Sequence, residues 1–408
     1  MRLAALISGL THRQVPMPTL DATNPAALRG SDDRTAARQR LATRLLFLIV
    51  GIANATWAPL VPLVKDRAGL DEAGLGLLLL TFGIGSILAM PSAGAVAARL
   101  GYRPVLLAGT LALGLALPVL ALASGLVPLT GALLLFGAGM GAVDCVMNLQ
   151  AVAVERAAGR PMMSGFHGLY SLGCILGALI ASGLLAAGLG AGGSVLPLVG
   201  GIAALFAAAW PGILRAERGG GSHGPAFALP RGPVLVLGLL CCVVFLTEGS
   251  ALDWSAVFLI QQRGLDPARA ALGYAAFSVT MTAGRLGGDA IVARLGRGRV
   301  VVLGGLLAAA GLALSVVVPA WEAALAGYAL VGAGCANIVP VLFTAAGRQT
   351  AMPESAAVPA VTTLGYAGVL AGPALIGFVA QALGLPAALL IVAALLVGVA
   401  AAGRSLRV

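Results

Sequence analysis

AGLGLLLLTFGIGSILAMPSAGAVAARLGYRPVLLAG, residues 73–109, has a counterpart far down the chain: AALGYAAFSVTMTAGRLGGDAIVARLGRGRVVVLGG, residues 270–305. Each is a long apolar run that ends in ARLG and further arginine. Arg99 and Arg294 are 195 positions apart, and so are Gly101 and Gly296. Two more pairs follow in the same order. GAGMGAVD, from Gly137, matches GAGCANIV, from Gly332, and SLGCILGALIASG matches TLGYAGVLAGPALIG. Self-similarity kept in order over a long offset marks a duplicated structural unit.

The repeated unit is a set of membrane-spanning helices. A crossing takes roughly 20 mostly apolar residues in a helix, and open sheets cannot cross because their edge hydrogen bonds go unmet. Apolar runs of that length fall at 41–64, 73–98, 104–123, 126–154, 163–188 and 195–214, and again at 233–260, 270–293, 300–319, 322–347, 356–382 and 386–403. The expected fold is an all-α polytopic membrane protein of about twelve transmembrane helices in two pseudo-symmetric six-helix halves. Residues 1–40 are expected to form a cytoplasmic tail, 41–214 the first half, 215–232 a Gly-rich cytoplasmic linker and 233–408 the second half. The opening MRLAALISGL is too short for a span and lacks a signal-peptide layout.

Composition agrees. The chain is 59% hydrophobic and 10% charged, with a mean hydropathy of +1.00, against about 25% charged residues in soluble domains. That excludes an ordinary soluble enzyme. The net charge of +10 does not point to nucleic acid, because the arginines sit in short gaps between apolar runs with no interleaved aromatics. The five cysteines, Cys145, Cys174, Cys241, Cys242 and Cys335, lie inside apolar runs without metal-ligand spacing and read as small reduced core residues. No hydrolase triad, metal cluster or phosphate-binding loop stands out, and no cofactor is expected. The run GAGMG lies inside a span, where small residues serve close helix packing.

The arginines set an orientation. With the N-terminus in the cytoplasm, Arg99, Arg103, Arg156, Arg160, Arg215, Arg218, Arg231, Arg294, Arg297, Arg299, Arg348, Arg404 and Arg407 all fall inside. Lys65, Arg67, Arg263 and Arg269 fall outside. The positive-inside rule then puts both termini in the cytoplasm. The expected location is a bacterial inner membrane.

Two six-helix halves, a central loop and an ARLGxR turn after the second and eighth helices resemble the major facilitator superfamily. Gly94, Arg99, Gly101 and Arg103 match that family's loop signature in the first half, and Arg294, Gly296, Arg297 and Arg299 match it in the second. The chain departs from the pattern at Ala98 and Ala293, where the family has an aspartate, and at Asp289, where it has a glycine. The interdomain latch made by that aspartate is therefore not implied here. DCVMNLQAVAVERAAGRPMMSGFHGLYSLG, EGSALDWSAVFL and GCANIVPVLFTAAGR resemble a bacterial branch that includes MosC-type, rhizopine-associated membrane proteins. The resemblance implies transport of a small polar solute, sugar- or inositol-like, by rocking of the two halves.

Ionisable groups at membrane depth are the informative ones, because an aspartate at a helix centre costs roughly 2.5–3.5 kcal/mol to insert. Glu248 lies near the midplane of the seventh helix. A carboxyl there can take up and release a proton as water access changes, so it leads the proton-coupling candidates. Asp253, nearer the periplasm, and Asp144 in the fourth helix follow. Arg285 and Asp289 are spaced i, i+4 on one face of the eighth helix, which predicts a structural ion pair. Together with Arg99, Arg103, Arg294 and Arg297 they form the structural or gating set. Asp144 and Asn148 share a face and are expected to meet His167. Asn54, Trp57, Asn148, His167, Trp254 and Asn337 are the expected substrate contacts, since amides suit hydroxyl groups and aromatic faces suit sugar rings. Their bland alternative is helix–helix glue.

The expected function is secondary active transport of a small polar solute by alternating access, with protons, the solute and the lipid bilayer as partners and a monomer as the unit. A proton-driven exporter, and a non-transporting sensor or assembly protein on the same fold, are the alternatives.

Overall fold

A computed structural model describes residues 25–215 and 229–404. The expected linker lies largely outside the described residues. Every described element is a helix. The first half contains α1 (Pro25–Thr56), α2 (Val61–Ala68), α3 (Glu72–Leu100), α4 (Tyr102–Leu122), α5 (Leu126–Ala158), α6 (Met163–Ala186) and α7 (Gly190–Ala209). The second contains α8 (Pro233–Arg263), α9 (Leu272–Leu286), α10 (Gly288–Leu295), α11 (Arg297–Val317), α12 (Trp321–Cys335), α13 (Ile338–Arg348), α14 (Glu354–Leu383) and α15 (Leu385–Gly403). Eleven of the described helical segments are long and apolar enough to cross a membrane. The remaining stretch, expected as one crossing over 270–293, is divided into two shorter helices, α9 and α10, which meet at Gly287.

The duplication reappears in three dimensions. Gly101 (φ 89°) and Gly296 (φ 80°) hold the same positive-φ turn between successive helices, a conformation open to glycine because it has no Cβ. A Cβ on Gly137 would strike the carbonyl of Phe82, and one on Gly332 the carbonyl of Phe277. Gly139 meets Gly109, and Gly334 meets Gly304. Each member of the second pairing is displaced from the first by the same 195 positions. The GAGMG run is thus close packing between α5 and its neighbours α3 and α4. A third repeated device closes helix ends. Arg67 donates to the carbonyls of Leu120, Ala121 and Ala123 at the end of α4, and Arg263 to those of Ser315 and Val316 at the end of α11. The last carbonyls of a helix have no internal partner, and a cation there also meets the negative end of the macrodipole.

Two breaks shape the middle of the second half. Pro340 has no N–H, so the Ala336 carbonyl one turn earlier cannot be satisfied within its own helix, and the crossing divides there into α12 and α13. The other break, at Gly287, separates α9 from α10. Asn337, between α12 and α13, donates its amide to the Gly284 carbonyl at 3.1 Å, so one break repairs the other. Irregular backbone at membrane depth persists only where protein groups satisfy it.

The arginine-rich helix ends gather on one side. Arg103 donates to Trp210 and Ile213, each at 3.1 Å, and stacks over the Trp210 ring, closing the end of α7. Arg99 and Arg294 are exposed. On this side the halves meet directly, with Gly94 of α3 against Ser355 and Pro359 of α14, and Gly347 of α13 against Val152 of α5.

A candidate site between the two halves

Arg285 sits at the end of α9, just before the Gly287 break. Its Nη2 donates to Glu248 of α8, at 3.0 Å to Oε1 and 3.3 Å to Oε2. Nη1 donates to Ser171 Oγ of α6 at 3.1 Å, and Nε to the Ala336 carbonyl at 3.4 Å. The carbonyl orphaned by Pro340 thus finds its donor here. One guanidinium ties three elements of the second half to one of the first. The Arg285 side chain is 6% exposed and that of Glu248 is 21% exposed.

The expected Arg285–Asp289 pair does not form. An i, i+4 pair needs a continuous helix, and the Gly287 break redirects α10. Arg285 turns to Glu248 and the free carbonyl. Asp289 instead reaches across to the other half and accepts the Gly165 N–H at 3.1 Å.

A second polar group adjoins the first. Asn54 of α1 donates to the Tyr170 hydroxyl of α6 at 3.0 Å. Tyr366 of α14 approaches the Asp144 carboxyl of α5 from the other half. Asn148 donates back to Asp144, at 2.9 Å to its carbonyl and 3.4 Å to Oδ1. Among the expected site residues, Glu248, Asp144, Asn54 and Arg285 therefore share this region. Asn148 is buried beneath it.

The others are placed differently. His167 does not join Asp144. Its Nδ1 donates to the Met163 carbonyl at 3.0 Å, and its ring packs between Phe47 and Phe343. Trp57 is buried in the apolar core. Trp254 packs beside Gly377 with its indole N–H buried and unpartnered. Asp253 is exposed. Asn337 serves the helix break.

Toward the arginine-rich end Asp289 and Arg297, both expected as structural or gating residues, gather around an acid the sequence did not mark. Glu155, 3% exposed, ends α5. Its Oε2 accepts the N–H groups of Met162 and Met163, each at 2.8 Å. Its Oε1 accepts the Thr344 hydroxyl of α13 at 2.8 Å and Arg297 Nη2 of α11 at 3.4 Å. Glu155 and Asp289 together satisfy N–H groups at the start of α6, where no intrahelical acceptor exists and negative charge is favoured. Beside them Arg156 pairs with Glu354 at 2.6 Å across the halves. Glu155 and Asp289 thus each put a carboxylate contact across the halves at the end where Ala98 and Ala293 carry no acid. The available signal was VERAAGRPMM: an acid within one short turn of the next helix start.

Comparison with known proteins agrees with this architecture. A family model described as Major Facilitator Superfamily matches residues 45–294. An uncharacterized MFS-type transporter of Yersinia pestis is 51% identical over 367 residues, covering 90% of this chain and 95% of that protein. Membrane protein MosC of Rhizobium meliloti is 34% identical over 358 residues, 87% of each chain. Among solved structures, the E. coli fucose:proton symporter FucP superposes with a TM-score of 0.73 at 18% identity, over 90% of this chain and 98% of that one. The human organic anion transporter TETRAN gives 0.71 at 17% identity, over 91% and 99%. These structural likenesses speak to fold alone. Matched over most of its length by a family model and by relatives well above 30% identity, the chain belongs to the Major Facilitator Superfamily.

Proposed function

We propose that this protein is a proton-coupled secondary transporter of a small polar solute, and not an enzyme, with the Glu248–Arg285–Ser171 group at the centre of its solute site. The observation that carries this reading is that a buried guanidinium bridges the two halves, holding a carboxylate of one and a hydroxyl of the other. Alternating access requires the halves to part at this level, and the bridge must then exchange partners. A solute bearing hydroxyl groups can replace Ser171 on Arg285, and a proton can replace Arg285 on Glu248. Asn54 and Tyr170 supply further hydroxyl-matching groups nearby. A fucose:proton symporter among the fold neighbours is compatible with such cargo.

Under this reading the protein acts as a monomer in a bacterial inner membrane, with the arginine-rich end and both termini in the cytoplasm. The contacts of Glu155, Asp289 and Arg156 then close the cytoplasmic side. Reporter fusions within 215–232 and at the C-terminus are expected to report cytoplasm, and a periplasmic reading at either place overturns the orientation.

The test of coupling uses proteoliposomes with an imposed gradient and a panel of hexoses, polyols and amino sugars. A potential of 100 mV is worth roughly 2.3 kcal/mol per charge moved, or about fifty-fold accumulation. Glu248→Gln keeps shape and cannot release a proton. It is expected to abolish accumulation while counterflow persists. Accumulation by the Gln variant with unchanged pH dependence makes Glu248 structural, and failure of the wild type to exchange any solute in the panel rejects transport of this class.

A further inference from the structure

Buried polar atoms are almost always hydrogen-bonded, and one left without a protein partner calls for an ion or a water. Three such atoms lie in the second half, at the end away from the arginine-rich rim. They are Ser255 Oγ and Arg263 Nε of α8 and the Tyr328 hydroxyl of α12, none with a partner among the described residues. Ser255 is 0% exposed and Tyr328 1%.

Helix register brings them to one place. Gly332 of α12 packs on the Phe277 carbonyl of α9, and further along Ala336 packs on Gly284, so α9 and α12 run parallel. Tyr328 and Gly273 each precede the first of these contacts by about one helical turn. Tyr328 therefore stands level with Gly273, which packs directly on Ser255 of α8. Arg263 reaches the same level from the helix end. Its Nη2 donates to the Ser315 and Val316 carbonyls, each at 2.7 Å, and Ser315 Oγ donates to the Ala324 carbonyl one turn before Tyr328. The guanidinium lies 4.8 Å over the Phe258 ring, and its charge acts on the Tyr328 hydroxyl. No carboxylate pairs with it among the described residues.

The duplicated half shows what differs. Arg67 closes the end of α4 with Nε, Nη1 and Nη2 each on a carbonyl. Counting back 195 from Tyr328 gives Leu133, a fully buried apolar residue. The second half has both freed a guanidinium N–H and added a hydroxyl.

We infer that Ser255, Arg263 and Tyr328 hold one small anion of halide size, buried inside the second half. Each of the three offers a hydrogen. Arg263 adds a positive charge with no acid on it, and in a low-dielectric interior that charge attracts an anion strongly. A water in the same place brings no charge and two hydrogens of its own. The anion ties α8 to α12 beside the end of α11. It lies within one half, so the inference is independent of the solute carried and of how the halves move.

The test is anion exchange on the whole protein in detergent. Replacing sodium gluconate with sodium chloride or bromide at equal ionic strength is expected to raise the melting temperature. The rise is expected to level off with concentration, as it does once a ligand of the folded state fills its site. Tyr328→Phe keeps the ring, removes one donor, and is expected to lose most of the halide dependence. Ser255→Ala is expected to weaken it, and decides the matter if the Phe variant does not fold. Anomalous scattering from bromide in crystals is expected to peak beside Tyr328. Melting indifferent to the anion, the result a water would give, overturns the inference. So does a halide dependence unchanged in either variant, or a bromide peak confined to the protein surface, which marks an adventitious ion only.

Discussion

Two carboxylates, Glu248 and Glu155, each meet an arginine between the halves of this protein, and they are held in opposite ways. Glu155 is 3% exposed and accepts two backbone N–H groups, a hydroxyl and a guanidinium. Its main partners are backbone atoms at a helix start, which cannot swing away. Among the described residues Glu248 is held by Arg285 alone, and its side chain is 21% exposed. All of its binding is invested in one flexible side chain. A carboxylate fastened to backbone is suited to a contact that opens and closes as a unit. One fastened to a single guanidinium is suited to exchanging partners. The arginines reverse the order: Arg285 is 6% exposed with three kinds of partner, while Arg297 is 15% exposed and touches Glu155 at 3.4 Å.

The contrast breaks most visibly at Arg285. Arg285→Ala strands Glu248 at membrane depth and orphans the Ala336 carbonyl. Removing one partner of a buried pair costs about 3–5 kcal/mol, so folded yield and melting temperature in detergent are expected to fall sharply. Glu248→Ala added to Arg285→Ala is expected to recover part of the loss. A double variant no better than the worse single one shows that the two residues do not act as a pair.

Glu155→Ala comes next. It leaves N–H groups at the α6 start without an acceptor, at a cost of about 1–3 kcal/mol. The distinctive outcome is directional: thiol labelling of a cysteine placed at Val152, packed against Gly347 across the halves, is expected to speed up. Unchanged labelling with lowered stability would make Glu155 a helix cap with no part in holding the halves together.

The smallest effect is expected at Arg297. Its contact is long, and Glu155 keeps three other hydrogen bonds without it, so Arg297→Ala is expected to cost less than Glu155→Ala. A loss as large as that of Glu155→Ala would mean that the guanidinium, and not the backbone, secures Glu155.

Much of the fold was legible because membrane insertion is governed by local apolarity and length. The spans, the duplicated order and the small-residue packing at Gly137 and Gly332 follow from runs of residues that any segment carries by itself. The pairing of charges was less legible. Spacing suggested Arg285 with Asp289 because it assumed one straight helix, and two adjacent glycines at 287 and 288 ended that helix. Glu155 escaped notice because an acid at a helix end usually faces water. Nothing in the sequence marked Tyr170, whose hydroxyl accepts the Asn54 amide from another helix.

The sequence by itself determined that the chain crosses a membrane repeatedly in two related halves, since each crossing satisfies its own backbone and its own apolar demand. It also placed acids and an arginine at membrane depth. Tertiary structure alone decided their partners. Pro340 orphans a carbonyl within its own helix, but the donor that answers it, Arg285, lies 51 residues earlier in the chain. Asp289 answers a helix start in the opposite half, 124 residues away. Charges in a low-dielectric interior seek whichever opposite charge or free dipole is nearest in space, and that neighbour is set by how the helices pack.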